Sequence, residues 1–385
     1  MRTRTALYFS VLALAAIPAP AGMGAEPQAS LYAQAETVWQ PDGGVTLTHG
    51  QGGTVTAGNG TIGLRGSFGA LRSLALAGEA GEGTALEGTL DIEAAAGPDT
   101  VLRGGFALRL EEETRTLTIP GQPAITALSP TLELAGSLGL RQRFGNTVLD
   151  IELGQISQRP GESTFPRAPL PPERLAANTD LLRGAFSIEH ALSPALLILA
   201  RAEADRLSVS PADTLLYGRL PTERLRLSAG FMARPQEGVQ GELRLGAELL
   251  SSPALPGERF VRPYGYGAIG MVLRQGFSVT LSAEAGTAFE DAADGFADWH
   301  WRLGAEAEML LTSRLALAAG LHVGGGEAVL ASMALAREVG AEAGLTFRIA
   351  EGLTLGTRLG LARETDMAEV PSDALTLSVS VRAEI

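Results

Sequence analysis

Leu375-Thr376-Leu377-Ser378-Val379-Ser380-Val381-Arg382-Ala383-Glu384-Ile385 alternates without exception between an apolar and a polar side chain. Successive side chains of an extended chain point to opposite faces, so this stretch is a strand with one greasy side and one wet side. The pattern repeats upstream. Leu225, Leu227, Ala229 and Phe231 oppose Arg224, Arg226 and Ser228. After a turn at Pro235–Gly238, Leu243, Leu245, Ala247 and Leu249 oppose Glu242, Arg244 and Glu248. Further runs of this kind are Phe277–Phe289, Trp299–Leu310, Leu315–Val323, Val339–Ile349 and Leu353–Leu361.

Two kinds of connection alternate between the runs. Short turns fall at Arg143–Asn146, Ala191–Pro194, Arg274–Gly276, Leu311–Arg314 and Ala350–Gly352. Longer links fall at Pro160–Asn178, Ser208–Thr222, Ser251–Arg259, Glu290–Asp298, Gly324–Ala336 and Arg363–Asp373. Short turns at one end and long loops at the other is how outer-membrane barrels are connected. Strands after the long links begin near residues 223, 261, 299, 337 and 375, a step of 38 that is one hairpin each. Upstream hairpins are Leu86–Ala94 with Leu102–Glu111, Leu132–Arg141 with Val148–Gln155, and Leu181–Glu189 with Leu196–Asp205. A short pair, Ile62–Phe68 with Leu74–Gly78, and a first strand within Val45–Ala57 complete the set. The sum is about 18 strands, within a range of about 16 to 20, and bacterial barrels have an even number.

A soluble closed barrel of that size has a lumen too wide for Leu and Ala to fill, so the apolar faces belong to lipid and the charged faces to water. The fold class is therefore all-β, a transmembrane antiparallel barrel with short periplasmic turns and longer extracellular loops. A Gly-rich secreted β-helix is the competing reading, most tempting over Gly43–Gly104.

The rest of the composition agrees. The chain has 385 residues, 30 basic and 43 acidic, a net charge of −13 and no Cys; every basic residue is Arg. The absence of Cys removes disulfide scaffolds and thiolate metal sites, and net acidity disfavours nucleic-acid binding. The 48 Gly and the abundant Ala read as codon bias. Arg2 and Arg4, an apolar stretch from Ala6 to Ile17, and small-residue sites at Ala19-Pro20-Ala21 or Met23-Gly24-Ala25 form an export signal over residues 1–25. The barrel then occupies 26–385, with 26–44 open to being a short periplasmic segment. The location is the bacterial outer membrane.

Chemistry is sparse. His190 and Ser193 share a turn, and the His residues form no metal cluster, so no catalytic residue, cofactor or metal is assigned. The acidic loop Glu290–Asp294 with Asp298 reads as a solvated loop before a cation site. The lumen set is more telling: Arg224, Arg226, Glu242, Arg244, Glu248, Glu284, Arg302, Glu306, Glu308, Glu342, Arg348, Arg358 and Arg382. Opposite charges on adjacent strands brace the wall or sort solutes, and both roles are compatible. Tyr264 and Tyr266 join this lumen face if Ile269, Met271 and Leu273 face lipid, where they can stack on sugar rings; in the other register they are girdle residues. Trp299, Trp301 and Phe289 sit where an interfacial belt belongs. The loop Pro160–Asn178, stiffened by Pro166, Pro169, Pro171 and Pro172, is the candidate for an inward constriction.

The hairpin Leu138-Gly139-Leu140-Arg141-Gln142-Arg143-Phe144-Gly145-Asn146-Thr147-Val148-Leu149-Asp150, the turn Leu311-Thr312-Ser313-Arg314-Leu315-Ala316-Leu317 and the export signal resemble the β-barrel porin type 2 family of proteobacteria. The resemblance covers most of 45–385 in pattern. It implies an outer-membrane channel, with exopolysaccharide export or saccharide passage as an associated role, and it carries over no functional residue. A general diffusion porin and a non-conducting surface or adhesin barrel are the alternatives. Implied partners are outer-membrane lipid and lipopolysaccharide, the barrel insertion machinery and a polysaccharide export complex.

Overall fold

Period-two alternation becomes ladder pairing along nearly the whole chain. The computed structural model describes residues 28–39, 45–58, 61–77, 83–117, 125–165, 168, 170–233, 238–274, 276–289, 292, 294–335, 337–365 and 371–384. Residues 1–25, read from sequence as an export signal, and Ile385 lie outside the described residues.

Seven long strands come first: β1 (Gln28–Trp39), β2 (Val45–Gly58), β3 (Ile62–Ala77), β4 (Gly83–Gly97), β5 (Thr100–Leu117), β6 (Ile125–Phe144) and β7 (Thr147–Pro160). The following loop holds two-residue strands β8 (Glu162–Ser163) and β9 (Glu173–Arg174). Next come β10 (Thr179–Ser193), β11 (Leu196–Val209), the short helix α1 (Pro211–Tyr217), β12 (Thr222–Ala233), β13 (Val239–Ser251) and β14 (Arg259–Arg274). The chain continues through β15 (Phe277–Ala288), β16 (Asp298–Leu310), β17 (Leu315–Ala328), the two-residue β18 (Met333–Ala334), β19 (Arg337–Ala350), β20 (Leu353–Thr365) and β21 (Pro371–Glu384). Leaving out the three two-residue strands, 18 strands pair antiparallel, each with the next in sequence, into one closed barrel. The barrel closes where β1 meets β21, with Tyr32 opposite Glu384 and Trp39 opposite Leu377.

Residues 28–39 are thus a wall strand rather than a periplasmic segment. Their cue is the same alternation, Leu31, Ala33 and Ala35 against Tyr32, Gln34 and Glu36. Ile62–Ala77, in contrast, is one unbroken strand where the sequence suggests a short hairpin. Gly69 stays in the ladder opposite Gly52 and Glu87, because a Gly inside a strand marks a close approach as often as a turn. A Cβ there falls 2.9 Å from Glu87 Oε1. The expected strand count therefore rests on two offsetting errors, one strand split and one missed.

Large apolar residues mark the outward face: Leu225 and Leu227 on β12, Leu243 and Leu245 on β13, Val261 and Ile269 on β14, and Leu377, Val379 and Val381 on β21 are all exposed. The apolar band ends abruptly at the loop side. Leu225, Leu249 and Val261 share one rung, and the next outward-facing rung is Glu223, Ser251 and Arg259. At the same end of β7, β10, β11 and β12 the outward positions form the ion pairs Arg159–Asp180 at 2.7 Å and Arg206–Glu223 at 3.6 Å. Turns at the opposite end are tight, with Gly145 and Gly352 at φ 58° and 73°, a conformation that costs Gly nothing.

Candidate functional site: the barrel interior and its mouth

Each strand puts alternate residues on the concave side, where side chains from non-adjacent strands meet. Arg224 on β12 donates from Nη1 to the Thr287 carbonyl on β15 at 2.6 Å, a contact that only the inside of the barrel permits. This fixes the inward parity. Arg226, Glu242, Arg244, Glu248, Tyr264, Tyr266, Glu284, Arg302, Glu306, Glu308, Glu342, Arg348, Arg358 and Arg382 share it, rung by rung, through β21.

These residues divide into two walls. Along β10 to β13 the charges neutralise one another. Asp205, buried, takes Arg224 in a charge-assisted bond and Arg183 at 3.0 Å. Arg226 bridges Glu203 at 2.7 Å and Glu248 at 2.6 Å. Arg201 adds to Glu203 at 2.7 Å, and Arg244 holds Glu242 at 2.6 Å. Planar guanidinium forks suit such shared carboxylates. The tyrosines complete this wall. Arg226 stacks over Tyr264 at 4.2 Å and Arg244 over Tyr266 at 4.8 Å, so each ring already carries a cation on one face. This is the inward register of the two weighed from sequence.

The opposite wall is open and acid-rich. A cavity of about 670 Å³ is lined by Glu36, Glu306, Glu308 and Glu342 against only Arg358 and Arg382, with hydroxyls from Ser278, Thr280, Thr346, Ser378 and Ser380. Arg358 reaches Glu342 at 3.8 Å, and both side chains remain well exposed. Such a pair is worth little, so the acids keep most of their field.

The mouth is narrowed by loops. Sequence reasoning favoured Pro160–Asn178, and Leu175, Ala176 and Ala177 do line a mouth cavity of about 740 Å³. They are held through α1: Arg174 pairs with Asp213, its Nε donates to Tyr217 Oη at 3.1 Å, and Tyr217 returns its proton to the Arg174 carbonyl at 3.0 Å. The Tyr217 hydrogen bond leads the causes that hold the Arg174 guanidinium above its ordinary pKa. A second intrusion comes from Phe289 and residues 294–297, in the stretch that the sequence presented as solvated acids. Phe289, Phe296 and Ala297 are buried with Leu181, Leu207 and Leu250 on the inner wall and Val329 from the next loop. The Gly295 carbonyl accepts from Leu220 N at 2.8 Å, so the loop reaches across to the β11–β12 connection.

Asp294 clamps this loop. Its Oδ1 accepts from Phe296 N at 2.9 Å and Ala297 N at 3.3 Å, and its Oδ2 from Leu330 N at 2.6 Å and Ala331 N at 3.2 Å. Glu290 and Asp291 lie outside the described residues, and no group of three His, Asp or Glu suited to a metal occurs among those described. His190 and Ser193 do not meet: His190 Nδ1 bonds Thr147 Oγ1 at 2.9 Å, and Ser193 Oγ accepts from Ala195 N. Trp299 has the outward parity of Trp301 and the exposed Leu303 on β16. Its indole donates to the Pro263 carbonyl at 2.9 Å and its ring packs on the mouth cluster.

Sequence reasoning missed Glu203, Asp205, Phe289, Asp294 and Phe296 as interior groups. For Glu203 and Asp205 the signal was present, since they alternate with Ala202 and Ala204. For Phe296 there was none, because loop residues have no period to read.

No family model and no curated protein matches the chain. Solved structures do. OccK11 (OpdR) of Pseudomonas aeruginosa is 15% identical, covers 93% of this chain and 96% of its own, and has a TM-score of 0.50. OccK3 (OpdO) of the same organism is 13% identical, with 94% and 96% covered and a TM-score of 0.52. A mutant of the ferric enterobactin receptor PfeA, also from Pseudomonas aeruginosa, is 8% identical, with 94% and 81% covered and a TM-score of 0.52. At these identities the likeness is one of fold: the chain has the closed barrel shared by outer-membrane porins and receptors.

Proposed function

We propose that the protein is an outer-membrane channel that passes small solutes by diffusion, with a preference for cations. One observation carries this reading: the open interior wall holds Glu36, Glu306, Glu308 and Glu342 against only Arg358 and Arg382, while the outer surface is an apolar band. A ring of acids with few counter-charges raises the local cation concentration. The fold of its neighbours and the resemblance to the β-barrel porin type 2 family support the channel reading. The protein works without catalysis, within outer-membrane lipid and lipopolysaccharide, placed there by the barrel insertion machinery after its export signal is removed. Exopolysaccharide export, with an export complex as partner, is the narrower alternative, and it sits less well with a mouth crossed by a clamped loop.

Single-channel recording in a planar bilayer under a KCl gradient tests the proposal. A steady conductance with a reversal potential on the cation side supports it. A current blocked by a soluble polysaccharide transfers support to the saccharide reading. No current from a folded, heat-modifiable barrel overturns the channel and leaves a surface-binding barrel.

A further inference from the structure

At the upper edge of the apolar band the outward charges neutralise one another on one side of the barrel, Arg159 with Asp180 and Arg206 with Glu223. The other side differs. Arg72 stands as far up β3 from Ile62 as Glu223 stands up β12 from Ala233, which puts both at the same level. The ladders carry the outward sense from Glu223 through β11, β10, β7, β6, β5 and β4 to β3, so Arg72 faces out as well. Its rung runs Ala35, His49, Arg72, Thr84, Glu112, and Gln51 lies on the next outward rung below, beside Ala33 and Ala70. His49, Gln51 and Arg72 are exposed, and none of the three has a hydrogen-bond or ion-pair partner among the described residues. Glu112, the acid of this rung, is two strands from Arg72 with Thr84 between them.

Below these donors the surface is hollowed. Ala70, Gly88 and Gly66 form a floor that descends between β3 and β4, with Leu86 and Leu90 exposed along one side. Phe68 bounds the other side and leans away over Gly53, where a Cβ would fall 3.0 Å from its Cε1. Packing within the barrel does not require the two floor glycines. A Cβ on Gly66 meets only the Thr89 carbonyl oxygen at 3.7 Å, and one on Gly88 only the Ser67 carbonyl oxygen at 3.8 Å. A shallow apolar trough therefore begins under an unpaired cation and runs down into the band.

We propose that this outward face of β2–β4 holds one outer-leaflet lipid with a phosphate on its head group. The proposal rests on the membrane reading of the barrel. A guanidinium fork takes two phosphate oxygens, and His49 and Thr84 flank it on the same rung as further donors. The trough takes an acyl chain. Snorkelling to water accounts for Arg72 by itself, but not for Gln51 one outward rung deeper. A second copy of the chain fits less well, because Asp180 and Glu223, outward acids of this level, are already held by Arg159 and Arg206.

The full barrel in detergent is titrated with monophosphoryl lipid A and followed by native mass spectrometry. The expected result is one tightly held adduct. Its apparent Kd rises about tenfold in Arg72→Gln with His49→Gln, and by a similar factor in Gly88→Leu, which fills the trough and leaves the donors in place. The heat-modifiable gel shift shows that each variant is folded. Parent-like binding by both variants overturns the site. Equal binding of dephosphorylated lipid A overturns the phosphate assignment, and displacement by an equal concentration of inorganic phosphate overturns the lipid. A dimer that is lost in Arg72→Gln assigns the face to a second copy and overturns the proposal. Conductance reports separately on the channel, so a silent barrel that binds the lipid sinks only the channel reading.

Discussion

Asp205 is the residue on which the interior wiring converges. Its side chain is fully buried and holds Arg224, itself 6% exposed, together with Arg183. Removing one partner of a buried pair leaves an uncompensated charge, so Asp205→Ala is expected to destabilise the barrel by about 3–5 kcal/mol. Replacing both partners with apolar residues of similar volume, Asp205→Leu with Arg224→Met, is expected to cost much less. Urea unfolding in detergent or lipid, followed by the heat-modifiable gel shift, distinguishes the two; equal losses refute the argument. The glycines teach a related lesson. Read as codon bias, they proved to have positions: a Cβ on Gly340 falls 2.2 Å from the His322 ring, and one on Gly320 falls 3.0 Å from Glu342 Cγ. Each leaves room for a long inward side chain on the neighbouring strand. Composition alone hides this, because the requirement is set across strands and not along them.

Two elements show where period-two reading is strong and where it stops. Between β12 and β13 the ladder was legible to the residue, but its curvature was not. A Cβ on Gly246 lies 2.0 Å from the Leu227 carbonyl oxygen, and one on Gly230 lies 1.8 Å from that of Leu243. Backbone cannot yield as a side-chain tip can. Gly246→Ala is therefore expected to cost more than Gly320→Ala, by about 1–3 kcal/mol, in the same unfolding assay. The loop between β15 and β16 was opaque for the opposite reason, since nothing along the chain says that its acid turns inward to collect four backbone N–H groups. Asp294→Ala strips those acceptors from the mouth while leaving every wall ladder intact. The expected outcome is a noisier and larger single-channel current with unchanged barrel stability; an unchanged current places the narrowest point elsewhere. Pro263 carries a cue that alternation passes over: proline belongs at sheet edges, and past Gly265 the β14 strand no longer pairs with β15.

At the scale of the molecule, closure and the inward or outward sense of every strand from β12 to β21 follow from alternation, and the strand count followed too, though through two errors that offset. What alternation does not carry is how the charges are shared once the sheet curls on itself. Along β10 to β13 each acid meets an arginine and the wall is electrically quiet, whereas Glu306, Glu308 and Glu342 face open solvent with Arg358 and Arg382 as their only cationic company in that cavity. The net charge of −13 would place selectivity anywhere; the pairing places it on this wall. Glu306→Gln with Glu308→Gln and Glu342→Gln removes three charges while keeping volume and hydrogen-bonding capacity. In the bilayer assay the reversal potential of this variant is expected to move toward zero or to the anion side, with conductance in symmetric salt falling less than twofold. The matching change on the quiet wall, Glu242→Gln, should leave the reversal potential within error of the parent. If both variants shift it equally, selectivity is a property of the whole acidic molecule, and the division of the interior into a braced wall and a sorting wall is wrong.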